Sequence, residues 1–139
     1  MPLINIFDVS GSAMAAQTVR LNATASNIAN AQSVAEDPAA TYRARHPVFA
    51  QQLQAAQAAN AGEPAGVQVL GMVESQAPLN RRFEPEHPFA DEGGFVTYPN
   101  VSVVEEMANM ISASRSFQLN VEVMNTARTL AERVLQLGQ

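Results

Sequence analysis

Residues Val9 to Ala35 read VSGSAMAAQTVRLNATASNIANAQSVA, and Arg20 is the only charged residue in them. Met107 to Val121 read MANMISASRSFQLNV, and there Arg115 is the only charge. Both stretches have the apolar spacing of long helices. A helix on the outside of a small protein carries a charged, solvated face. These two carry Ala, Ser, Thr, Asn and Gln where Lys and Glu would stand. Such helices are covered on most sides, and a chain of 139 residues has little material to cover them. The residues alone therefore predict an assembly protein whose two ends are buried by neighbouring copies or partners.

The first helix is predicted to start near Asn5, as N-cap, with Asp8 three residues on, and to end at Glu36-Asp37-Pro38. Phe7, Met14, Leu21 and Ile28 recur every seven residues. With slim Gly11, Thr18 and Ala25 between them, they form a coiled-coil-like seam that permits close approach. A second stripe, Thr18, Asn22, Ser26, Asn30 and Ser33, is polar but uncharged. A solvated stripe of this length would hold several charges. Hydrogen bonding inside an interface is the sharper expectation, with Asn27 and Asn30 in packed positions.

The last helix opens on a capping box, Ser102 and Glu105. Glu105 and Glu106 lie near its positive end and Arg128 and Arg133 toward its negative end, as the macrodipole favours. One seam runs Val103, Met107, Met110, Ser114, Phe117, Val121, Met124; a second runs Val123, Ala127, Leu130, Val134, Leu137. A helix of about 36 residues is roughly 54 Å long. Two apolar stripes on it require more than one partner.

The segment between is different in texture and holds every proline except Pro2. Thr41 to Phe49 reads as extended, with Tyr42, Val48 and Phe49 as core candidates. Gln51 to Ala61 is low-complexity, a short helix or a loop. Gly66 to Glu74 alternates as a strand, with Val67, Val69 and Met72 or Val73 inward. Asn80 to Pro88 reads as irregular and charged. Gly93-Gly94 turns into a short strand, Phe95 to Tyr98. The predicted fold is α+β: a helical arm over 1–34, a β-rich middle domain over 35–99, and a C-terminal helical arm over 100–139, the two arms paired.

Composition narrows the function. Net charge is −5, all eight basic residues are Arg, and no basic run occurs, which argues against nucleic acid or an anionic membrane as partner. The absence of Cys excludes disulfides, iron–sulfur clusters and thiol catalysis. No apolar run approaches the roughly 20 residues that span a bilayer, so no membrane insertion is expected. Met1 to Asp8 lacks the basic and apolar regions of a cleaved signal. His46 and His87 lack ligand spacing, and Glu84, Glu86, His87, Asp91 and Glu92 read as a solvated acidic loop. Glu105 and Glu106 point to different sides of a helix, so they make a poor acid/base pair. Ser10-Gly11-Ser12 and Gly93-Gly94 lack the surroundings of a nucleophile elbow or phosphate loop. No catalytic, cofactor or metal site is expected.

Leu21-Asn22-Ala23-Thr24-Ala25-Ser26-Asn27-Ile28-Ala29-Asn30-Ala31 resembles the N-terminal motif of the bacterial flagellar rod and hook proteins, the axial protein family. The C-terminal half is more specific. Pro99-Asn100-Val101, Val104-x-Glu106-Met107, Ser112 to Gln118, and Asn120-Val121-x-Val123-x-Asn125-Thr126 resemble the proximal rod members of that family. Asn5 to Asp8, Tyr42-Arg43-Ala44, Glu74-Ser75, His87-Pro88, Ala90-Asp91 and Gly94-Phe95-Val96 support the match. Phe95 and Phe117 stand where Tyr is common in the family.

The resemblance implies paired terminal helices forming an inner tube, an outer middle domain, and helical stacking around an export channel. It implies as partners copies of the chain, other rod proteins and the flagellar type III export apparatus. It implies a location in the periplasmic rod of the basal body, reached without a cleaved signal. The assembly interface is expected on Phe7, Met14, Leu21, Asn22, Ser26, Asn27, Ile28 and Asn30 of the first helix. On the last it is expected on Met107, Met110, Ser114, Arg115, Phe117, Asn120, Val121, Met124, Asn125, Leu130, Val134 and Leu137. The competing reading is a soluble helical adaptor or export-chaperone-like binding module, folded as a defined oligomer by itself. A small enzyme with an unrecognised site is more remote.

Overall fold

A charge-poor helix opens and another closes the chain in a computed structural model, which describes residues 2–52 and 66–137. Helix α1 spans Pro2–Asn30 and helix α2 spans Val103–Leu137. Between them lie a single 3₁₀ turn, Pro38–Ala40, and strands β1 (Arg45–Gln52), β2 (Gly66–Glu74), β3 (Asn80–Phe83) and β4 (Phe95–Tyr98). The fold is α+β, as the residues predict.

The predicted bounds of α1 need correcting at both ends. The helix starts at Pro2 rather than Asn5; proline suits the first helical position, where its missing N–H has no intrahelical partner to lose. It stops at Asn30, well before Glu36-Asp37-Pro38. The Ser33 amide and hydroxyl both donate to the Asn30 carbonyl, at 3.1 and 2.9 Å, and turn the chain there. Asp37 instead caps the 3₁₀ turn, accepting from the Ala39 amide at 2.8 Å. The start of α2 agrees with the capping-box reading: Ser102 accepts from the Glu106 amide through its carbonyl (2.9 Å) and from the Glu105 amide through its hydroxyl (3.5 Å).

The two helices pack against each other along their length. Early α1 meets late α2, so they run antiparallel: Ile6 shares a groove with Val123 and Leu130, while Arg20 donates to Asn109 at 2.9 Å. On α2 the inward positions are Val103, Glu106, Met110, Ala113, Phe117, Asn120, Met124 and Ala127, all buried or half-buried. That alternation of three and four residues is the spacing of a coiled-coil seam. The expected seam is right at Val103, Met110, Phe117 and Met124. It is one residue out elsewhere: Met107 and Val121 are exposed, and Ala113 rather than Ser114 is fully buried.

The reason lies on α1, whose buried positions are Ser10, Ala16, Ala23, Thr24 and Asn27. The register set by Arg20 and Asn109 puts Ala16, 3% exposed, against Ala113, 0% exposed. At that level the close approach leaves no room for a side chain larger than alanine. Phe7, Met14, Leu21 and Ile28 are half-buried and flank the contact rather than fill it. Of the slim residues expected at the seam, Thr18 and Ala25 are exposed and Gly11 faces open space.

Strands β1 and β2 form an antiparallel hairpin, from Arg45 opposite Glu74 to Gln52 opposite Gly66, with a bulge where Leu70 is left unpaired. The hairpin lies along α1. At one end the Ser12 hydroxyl accepts from the Val67 amide at 3.1 Å, and a Cβ on Gly66 would stand 2.6 Å from that hydroxyl. Val67 and Val69 are half-buried as expected; Met72, Val73, Val48 and Phe49 are exposed. A two-stranded ribbon with one helix beneath it has no second layer to bury them. Gln51 and Gln52 belong to β1; the rest of the Gln51–Ala61 expectation lies outside the described residues.

The stretch expected to be irregular, Asn80 to Pro88, supplies strand β3, which pairs antiparallel with β4. Arg81 and Arg82 obscure it in the sequence. Their guanidinium groups lie over the rings of Phe95 and Tyr98, at 4.8 and 4.6 Å, so cation–π stacking replaces an apolar pattern. Val96 is fully buried. Gly94 has φ +76, which favours glycine.

Asp91 staples the tip of this second hairpin. One carboxylate oxygen accepts from the Phe95 and Gly93 amides, both at 2.9 Å, and the other from Arg81 at 2.6 Å. The Phe95 amide is the largest cause holding this carboxyl below its ordinary 3.8, with the Gly93 amide and Arg81 adding to it against a desolvation penalty. A depressed folded value means the staple acts fully above 3.8 and is lost as pH falls through that lower value. The Gly93 and Phe95 amide resonances are expected to titrate only in that acid range, and Asp91→Ala should abolish the step.

Candidate assembly surface

The predicted interface residues divide into two sets. Asn27 is buried; Phe7, Met14, Leu21, Ile28, Asn30, Met110, Ser114, Phe117, Asn120 and Met124 are half-buried; all lie on one chain's own packing. Asn22, Ser26, Met107, Arg115, Val121, Asn125, Leu130, Val134 and Leu137 are exposed. The polar stripe of α1 therefore lies mostly on the outside of the single chain. Thr18, Asn30 and Ser33 bond locally to backbone carbonyls of their own segment, and Ser26 reaches the Tyr42 hydroxyl at 3.3 Å.

Asn27 is the polar centre of the fold. Its amide nitrogen donates to the Arg45 carbonyl at 3.0 Å, and its oxygen accepts from the Arg45 amide and the Tyr42 hydroxyl, both at 2.9 Å. It is 0% exposed. These bonds fasten the start of β1 to α1. Asn100 does the same job from the other side: its oxygen accepts from the Ala44 amide at 2.9 Å and its nitrogen donates to the Ala77 carbonyl at 2.9 Å. Arg43 donates to the Ser75 and Ala77 carbonyls as well. The expectation of a packed Asn27 agrees with this geometry. Asn100 was not among the expected site residues, although its place between a proline and a helix cap is a signal for a turn-binding amide.

Outside this frame α2 presents large apolar side chains. Val104 is 78% exposed, Ile111 69% and Leu137 87%. Val104, Met107 and Ile111 form a stripe at helical spacing; Val104 and Ile111 were not expected at the surface. Nearer the end of α2, Ile6, Leu119, Val123 and Leu130 line a groove of about 340 Å³ bordered by Glu122. Contiguous exposed apolar surface of this kind marks an interaction site. Among the described residues no group of His, Asp and Glu is placed to hold a metal, and no helix is long and apolar enough to cross a membrane.

Comparison with known proteins agrees with this architecture. Residues 7–34 match the family model "Flagella basal body rod protein", and residues 92–137 match "Flagellar basal body rod FlgEFG protein C-terminal". The two matches cover most of α1 and all of α2. Relatives named flagellar basal-body rod protein FlgC align over the full length of both chains, at 50% identity in Salmonella typhimurium and 51% in Escherichia coli O157:H7. The Aquifex aeolicus relative is 34% identical, over 98% of this chain and 97% of its own. With the paired terminal helices and full-length identity at this level, the chain belongs to the FlgC family of structural proteins of the flagellar basal-body rod.

Proposed function

We propose that the chain polymerises helically with copies of itself and other rod proteins into the hollow drive shaft that transmits torque and encloses the export channel. Residues 1–34 and 100–139 form the inner-tube part and 35–99 the outer part. The subunit stands in the periplasm, is delivered by the flagellar type III apparatus without a cleaved signal, and performs no catalysis. The observation that carries this reading is the outward apolar face of α2, which one chain leaves uncovered along most of its length. The full-length relatives carry rod names, so the alternative of a soluble helical adaptor is not favoured.

The test separates folding from assembly. Leu137 is almost fully exposed, whereas Phe117 is half-buried against α1. Leu137→Glu is expected to leave circular dichroism and thermal unfolding of the purified protein unchanged while removing it from isolated basal bodies. Phe117→Glu should lower stability by about 3 kcal/mol, the usual scale for losing a large core side chain, and so fail earlier. Normal occupancy of Leu137→Glu in basal bodies would overturn the assembly role of this face.

A further inference from the structure

We propose that copies of this chain join head to tail along α2, the stripe Val104, Met107 and Ile111 of one copy seating in the groove of Ile6, Leu119, Val123 and Leu130 of the next. This rests on the rod-subunit reading, in which all copies run the same way about one axis. At about 100° per residue, the stripe and the groove fall on opposite flanks of the buried seam. Val104, Met107 and Ile111 lie to one side of Glu106, Met110 and Ala113, whereas Leu119, Val123 and Leu130 lie to the other side of Phe117, Asn120 and Met124. An isologous contact uses one patch twice and closes; two different patches make a heterologous contact that continues from copy to copy.

Charge is complementary across this contact. Arg115 continues the stripe one turn beyond Ile111, and Glu122 borders the groove. Neither has an ion-pair partner among the described residues. Seating Ile111 of one copy level with Val123 of the next staggers the two by about 18 Å at 1.5 Å per residue. Arg115 then stands level with the neighbour's Ala127, about 7.5 Å along the axis from its Glu122 at 1.5 Å per residue, an offset the long guanidinium arm can bridge.

The chain has no cysteine, so introduced thiols report cleanly. Ile111→Cys and Val123→Cys together place two thiols about 18 Å apart on one straight helix, beyond the roughly 7 Å between Cα atoms that a disulfide spans. Any bond therefore joins two copies. Basal bodies isolated from cells making only this variant, oxidised and run on a denaturing gel, should give a ladder of dimers, trimers and larger products. Either single variant should give none. Dimers from Ile111→Cys alone would show a closed contact and overturn the proposal. Absence of bonds from basal bodies that contain the variant would also overturn it and leave the rod reading standing. Absence of the wild-type chain from basal bodies would overturn both. Independently, Arg115→Glu and Glu122→Arg should each lower basal-body occupancy roughly tenfold or more through like-charge contact, and the two combined should restore it. Failure of the combined variant to restore occupancy while the purified protein stays folded would overturn the proposed pairing.

Discussion

Asn27→Asp is expected to be among the most damaging single changes in this protein. The substitution alters one atom, but the new oxygen would face the Arg45 carbonyl that the Asn27 amide now binds at 3.0 Å. A donor becomes an acceptor, and a carboxylate is enclosed where exposure is 0%. A buried charge without a partner costs on the order of 3–5 kcal/mol. The loss should fall first on the root of the β1–β2 hairpin, read as fast amide exchange at Arg45, whose N–H and C=O both bind Asn27. A buried carboxyl favours its neutral form, and once protonated it again has a donor for Arg45. The damage is therefore expected above the raised value of the introduced carboxyl and should ease as pH falls through it. Stability equal to wild type at neutral pH would show that the Asn27 network contributes little.

Ala113→Leu is the second large effect. Ala113 is fully buried where the register brings Ala16 opposite it. Three added carbons would have to fit opposite Ala16, itself buried and without a side chain long enough to move aside. Overpacking a close contact costs about 1–3 kcal/mol, and here it also pushes the helices apart along the seam. Ala113→Gly is the matched control: it costs about 1 kcal/mol in helix propensity but leaves the spacing unchanged. Thermal unfolding should show a larger loss for Leu than for Gly, and basal-body occupancy should fall for Leu alone. Equal losses would mean that the helices do not approach as closely as the burial of these alanines requires.

The existence of both helices, the Ser102 cap, the β4 strand and the packed Asn27 were legible in the residues, because each rests on a local signal. The inner seats of α2 were not. Met107 and Val121 occupy one helical stripe and Glu106 and Asn120 the next, and of these pairs the apolar members are the outer ones. Periodicity ranks faces by hydropathy. Where Glu106 and Asn120 turn inward beside exposed Met107 and Val121, that ranking points the wrong way. Strand β3 was hidden for a related reason: its arginines stack on rings across the hairpin instead of alternating with apolar residues. Phe49 and Val48 read as core in the sequence because nothing local shows that the β1–β2 ribbon has only one helix to lie on.

A cryo-electron microscopy map of isolated basal bodies at side-chain resolution, with this chain traced in the rod, would show directly whether the outward face of α2 is covered. Val104, Ile111, Leu130 and Leu137, each at least half exposed in the single chain, are predicted to be buried against neighbouring subunits while the α1–α2 seam stays as it is. A rod in which these four side chains remain in contact with solvent would contradict it.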